Sequence, residues 1–194
     1  MSDLRLQKTL ELIDAVNQSD PNTTVVDNIE VANEVLYSMR MSETLCTFRP
    51  DASELLQIAA RAQHIERWIS PRTDFPEGRT GYKKWRSSLA MHHAKKTAEL
   101  MQTAGYAIEQ IERVKYLLLK RGLKTNDETQ CLEDVICLVF LKYYLEDFVK
   151  KHSEEKLIVI IQKTWSKMSD IGHEHALKLT LNNDLSNLLQ KALH

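Results

Sequence analysis

Glycine and proline are scarce in this chain, five and four among 194 residues, and apolar β-branched runs that alternate with polar residues are few. Both scarcities argue against sheets and predict an all-α fold. Cysteine is scarce too. Cys46, Cys131 and Cys137 are an odd number without a CxxC pair, which excludes a disulfide framework or a zinc knuckle and suits a reducing compartment. The formal net charge is only −1, so a globally basic nucleic-acid binder and a polyacidic tail are both excluded, and any electrostatic attraction has to be local. The start, Met1-Ser2-Asp3-Leu4-Arg5, carries acid early and has no continuous apolar run, which predicts no secretory signal. A soluble, cytoplasmic, single all-helical domain over residues 1–194, with no membrane partner, is the expectation.

One stretch organises the rest. Residues 132–145, from Leu132 to Leu145, place apolar side chains on every face of the helix they form. The run is too short to span a bilayer and too apolar to lie on a surface, so it is predicted to be a buried central helix wrapped by others. It begins with Glu133 and Asp134, and a carboxylate entering a core demands a cation, a metal or several N–H donors. Whatever meets this acid pair is expected to define the functional site.

Along the chain, Leu6, Leu10, Ile13 and Val16 recur at helical spacing before the turn at Asp20-Pro21-Asn22. A second helix is predicted after the Thr23–Asn28 stretch. A third starts at Asp51-Ala52-Ser53-Glu54 and runs to about Trp68, putting Arg61, His64 and Trp68 on one face. Ser70 to Gly81 holds two prolines and two glycines and reads as an irregular loop. A helix resumes at Tyr82, passes His92-His93 and stops near Gly105. Further helices are predicted over Ile108–Lys120, from Glu154-Glu155 to a stop at Gly172, and over Leu177–Leu193. Between Arg61 and Lys96, nine basic residues face three acids, an excess of six positive charges in a chain with none overall. Arg61, Arg72, Arg79, Lys83, Arg86 and Lys96 are the candidate ligand-binding cations of this stretch, because guanidinium forks match phosphate oxygens in pairs.

Several motifs carry a resemblance to a known family. Ala60-Arg61-Ala62-Gln63-His64-Ile65-Glu66-Arg67-Trp68, Pro71-Arg72, Gly81-Tyr82, Trp85-Arg86, His93-Ala94, Leu132-Glu133-Asp134-Val135 and Lys163-Thr164-Trp165 with Gly172-His173 together resemble domain-of-unknown-function family 4202. The likeness covers nearly the whole chain and implies membership without implying a mechanism. Lys142 departs from it, standing where that pattern has glutamate. A more remote resemblance is to the HD-type phosphohydrolases, helical bundles that bind divalent metal through a histidine, a His-Asp pair and a later aspartate. It implies an HD-domain-like fold, with His64, His93 and Asp134 as metal ligands; Asp134 and Glu133 are the candidate catalytic carboxylates, with Glu133 as the replacement oxygen for the missing acid. Ala94 stands where the bridging aspartate belongs, so the implied site holds one divalent cation rather than two.

The same residues admit plainer roles. His64 suits a structural or anion-contacting position, and His92 and His93 diverge by about 100° on a helix, so at most one enters a given site. Glu133 and Asp134 can pair with Arg61 or Arg86 and fix register. The functional expectation is accordingly a metal-dependent phosphohydrolase, or a degenerate relative, acting on a phosphate-bearing small molecule or nucleotide. The alternative is a non-catalytic module that binds a phosphorylated ligand or RNA. In either case His64, His93 and Asp134 are expected to converge, and without metal the pocket should hold an arginine or an anion against them.

Overall fold

In the computed structural model of the protein, which describes residues 2–193, the chain is all-helical apart from one small hairpin. Helix α1 (Ser2–Asn17) leads to strands β1 (Thr23–Val26) and β2 (Ile29–Ala32), then α2 (Asn33–Phe48) and α3 (Glu54–Arg61). After an irregular segment come α4 (Gly78–Thr103), α5 (Ile108–Leu118) and α6 (Asp127–Val139). The chain continues through a wider π-type turn (Phe140–Tyr144) into α7 (Leu145–Val149), and ends with α8 (Glu154–Trp165), α9 (Asp170–Leu177) and α10 (Asn183–Leu193). No helix among the described residues is long and apolar enough to cross a membrane.

The stretch 132–145 is the central element, and Lys142 is its one exposed residue. Its lack of a polar face has a structural reason, because it serves two cores at once. Leu132, Val135 and Val139 pack with Ile13 of α1, Met41 of α2, Leu56 of α3 and Leu117 of α5, whereas Leu138, Leu141 and Leu145 pack with Leu157 of α8, Ala176 of α9 and Leu188 of α10. Burying both faces is what makes the segment apolar all round.

Three local expectations are corrected. The Thr23–Ala32 stretch is a hairpin in which Thr23 pairs with Ala32 and Val26 with Ile29. Asp27 and Asn28 both take positive φ, +49° and +63°, the geometry of a tight turn whose twist matches the flanking strands. Helix α3 ends at Arg61 rather than near Trp68, because the chain bends through successive turns to Glu66, which sits in the left-handed region at φ +53°. Gly172 does not end a helix. It lies within α9, and an added Cβ there would come within 2.7 Å of Asp134 Oδ1.

That close approach yields a test. Glycine to alanine inside a helix ordinarily stabilises by about 1 kcal/mol. Here Asp134 Oδ1 is fixed by the Ser169 N–H at 2.8 Å and the Gln130 amide at 3.0 Å, and cannot retreat. Gly172→Ala is expected to destabilise by about 1–3 kcal/mol, in the manner of an overpacked core. Urea midpoints of the two proteins decide it, and an unchanged or raised midpoint would show that α9 shifts freely.

Candidate functional site

The site forms where the segment after α3 crosses between α2 and α4. Glu66 anchors that segment: its N–H donates to Asn17 Oδ1 at 3.2 Å, while its carboxylate accepts from His92 Nε2 at 3.0 Å and pairs with Lys96 at 2.9 Å. One residue back, the carbonyl of Ile65 accepts from His93 Nδ1 at 2.7 Å. Because a carbonyl can only accept, Nδ1 carries the proton and Nε2 is left bare. His64 turns inward and stacks on Tyr37 of α2, with ring centroids 3.8 Å apart and an interplanar angle of 11°, and its ring centre lies 6.1 Å from that of His93. Two distant histidines are thus neighbours.

Cations surround them. Arg67 Nη1 donates to His64 Nε2 at 2.7 Å. It also lies 3.3 Å from Nδ1, but the shorter contact takes its proton and leaves the ring's own hydrogen on Nδ1, which faces Glu34 at 3.5 Å. The guanidinium sits over the Trp85 ring, 4.9 Å from its centroid, and Trp85 is fixed in turn by its indole N–H on the Ser70 carbonyl at 2.8 Å. Lys120 follows α5 in the left-handed region at φ +55° and reaches Glu133 at 2.5 Å, with Lys167 3.6 Å from the other carboxylate oxygen. Non-glycine residues in this conformation are costly and mark sites where surrounding structure enforces them. Arg86, half-buried on α4, makes no hydrogen bond or ion pair among the described residues, yet its charge acts on Tyr37, His64, Arg67, His93, Lys120 and Glu133. It stands amid the cluster as an uncommitted cation.

Burial and these charges set the protonation states. Burial pushes His64 well below its ordinary value, with Arg67 and His93 adding to the effect, and it pushes His93 down to about 3 against the opposing Ile65 hydrogen bond. Both rings are neutral at pH 7. Burial raises Glu34 to about 7 although Arg67 pulls the other way. It also drives Glu133 upward, but Lys120 and Lys167 outweigh it and hold the carboxyl below its usual value. The result is a polar cluster with neutral imidazoles and an excess of positive charge.

The expected convergence is met for His64 and His93 and not for Asp134. Adjacent residues on a helix diverge, and while Glu133 faces Lys120, Asp134 faces the start of α9. There it accepts from the Ser169 N–H at 2.8 Å and the Ser169 hydroxyl at 2.7 Å, an acid at the positive end of a helix. Ala94 faces the hydrophobic core. Of the six candidate ligand-binding cations, Arg86 alone is uncommitted at the cluster. Arg61 is held by Asp14, with Nε 2.7 Å from one carboxylate oxygen, and Lys96 by Glu66. Arg72 donates to the carbonyls of Phe75 and Pro76 at 2.8 and 2.9 Å and so closes its own loop. Arg79 and Lys83 are exposed. An arginine does stand against the histidines, as the metal-free version of the pocket requires, but it is Arg67.

A divalent cation does not fit this donor set. His64 Nε2 already accepts from a guanidinium, Glu133 is engaged by ammonium groups, and Asp134 is spent on α9. Among the described residues, no three His, Cys, Asp or Glu side chains group closely enough to hold a metal ion. A cluster of cations around neutral rings repels a cation and attracts an anion.

Sequence reasoning missed Arg67, Lys120, Tyr37 and Glu34 as site residues. Arg67 lies inside a motif already singled out, and the cue against a continuous helix was weak. Lys120 follows Leu119 at a helix end, where a positive φ leaves no trace in composition. Tyr37 and Glu34 carried no signal at all.

A family model described as a domain of unknown function, DUF4202, matches residues 7–189. No curated protein and no solved structure matches the chain.

Proposed function

We propose that this chain, which belongs to the DUF4202 family, is a binding protein for a phosphate-bearing small molecule held by Arg67, Arg86 and Lys120. The observation that carries this reading is Arg86, a half-buried guanidinium without a partner among the described residues, placed beside two further cations and two neutral imidazoles. Leaving such a group partly desolvated and unpaired costs free energy, and an anion with several oxygens removes the cost. His93 Nε2, bare and without a partner among the described residues, accepts a hydroxyl or a singly protonated phosphate oxygen. Cations that converge on a pocket favour a compact ligand over RNA, which is read by extended surfaces with stacked bases.

Inorganic phosphate is expected to raise the melting temperature of the protein at constant ionic strength, and Arg86→Ala to weaken its binding by about 10- to 100-fold, the worth of a charge-assisted hydrogen bond. Calorimetric titration of both proteins with phosphate makes the measurement. Equal affinities would place the anion elsewhere. Turnover of phosphate esters by the parent protein would replace the binding reading with the hydrolase reading.

A further inference from the structure

Tyr82 lies one turn before Arg86 on α4 and is 50% exposed. Its ring meets Trp85 at a tilt, with centroids 5.8 Å apart and an interplanar angle of 53°, so one ring face has no aromatic partner among the described residues. Arg67 lies over the same Trp85 ring, 4.9 Å from its centroid, so Tyr82 and Arg67 share one aromatic neighbour and Tyr82 stands at the exposed edge of the cluster. Trp85, which Tyr82 leans on, is itself buried and fixed to the Ser70 carbonyl, so the aromatic ledge is supported from beneath. Residues four apart on a helix share a face, with Cα atoms about 6 Å apart along the axis, and side chains tilt toward the helix N-terminus. Tyr82 and Arg86 therefore lie on one face of α4, one turn apart, and place an aromatic ring and a cation next to each other along that face.

We infer that the ligand is a nucleoside phosphate, with its phosphoryl group between Arg67 and Arg86 and its base stacked on Tyr82. This rests on the anion-binding reading above and adds a requirement for a planar aromatic ring. Each nucleobase presents a π-face, and stacking on an exposed tyrosine needs no directional hydrogen bonds, so the ledge selects the presence of a base more than its identity.

Calorimetric titrations with adenosine 5′-monophosphate, ribose 5-phosphate and inorganic phosphate test it on the full chain. The nucleotide is expected to bind about 5- to 100-fold tighter than the sugar phosphate. Tyr82→Leu should abolish that difference while leaving the affinity for inorganic phosphate unchanged, and Tyr82→Trp should preserve it. The unchanged phosphate affinity also shows that the variants fold. Equal binding of nucleotide and sugar phosphate by the parent protein, or a preference that survives Tyr82→Leu, would overturn this inference and leave the anion site standing. Failure of all three compounds to bind would overturn both.

Discussion

Replacing Lys120 by methionine is expected to destabilise the fold by about 3–5 kcal/mol, the usual consequence of removing one partner from a buried ion pair. Glu133 is 3% exposed, and without Lys120 the one ion-pair partner left to it among the described residues is Lys167, 3.6 Å away and half in solvent, with Arg86 acting only at longer range. Lysine and methionine suffer the same strain at φ +55°, so that term cancels and the loss reports the charge. Changing both residues, Lys120→Met with Glu133→Leu, should recover most of the stability, because a buried pair exchanged for apolar groups of similar size is close to neutral. Urea unfolding of the parent, the two single variants and the double variant forms a complete cycle. A loss below 1 kcal/mol for Lys120→Met, or single effects that simply add, would mean that water reaches Glu133 and that the pair is not a fixed part of the pocket.

Acidification should unfold the protein through its histidines. His64 and His93 have folded values below the ordinary 6.5, about 3 for His93, so the unfolded chain takes up protons first. Their contribution to stability is complete above pH 6.5 and is lost as the pH falls toward the folded values, at about 1.4 kcal/mol per pH unit for each ring. Glu34 acts in the opposite sense. Its folded value of about 7 exceeds the ordinary 4.5, so its contribution is present below pH 4.5 and disappears as the pH rises through 7. Between pH 6.5 and 4.5 the loss from His93 and the gain from Glu34 nearly cancel, so the net fall in stability follows His64, at no more than about 1.4 kcal/mol per unit. His93→Asn keeps an amide N–H for the Ile65 carbonyl and removes one titrating ring, so its stability should be nearly flat over the same range. Denaturant midpoints at half-unit steps measure the slope. An unchanged slope in the asparagine variant would show that His93 is solvated, and with it that the pocket is open to water.

The sequence alone determined the helical class and the centre of the fold. Apolar spacing is written into every turn of a helix, and residues 132–145 read as buried on all sides because they serve two cores. It also brought His64 and His93 together, through motifs rather than through periodicity. What it left undecided was rotational and long-range. A one-residue step separates Glu133, which meets Lys120, from Asp134, which meets Ser169, and no pattern in the sequence says which of the two turns toward the histidines. The bend at Glu66 removed Arg61 from the pocket to Asp14 and put Arg67 in its place. The hairpin escaped because two four-residue strands carry little periodicity, although Asp27-Asn28 between β-branched residues was its signal. Only the tertiary structure decided which cations are spent and which is uncommitted. Ion pairing joins residues far apart in the chain, such as Arg61 with Asp14, while the uncommitted state of Arg86 is a property of everything packed around it.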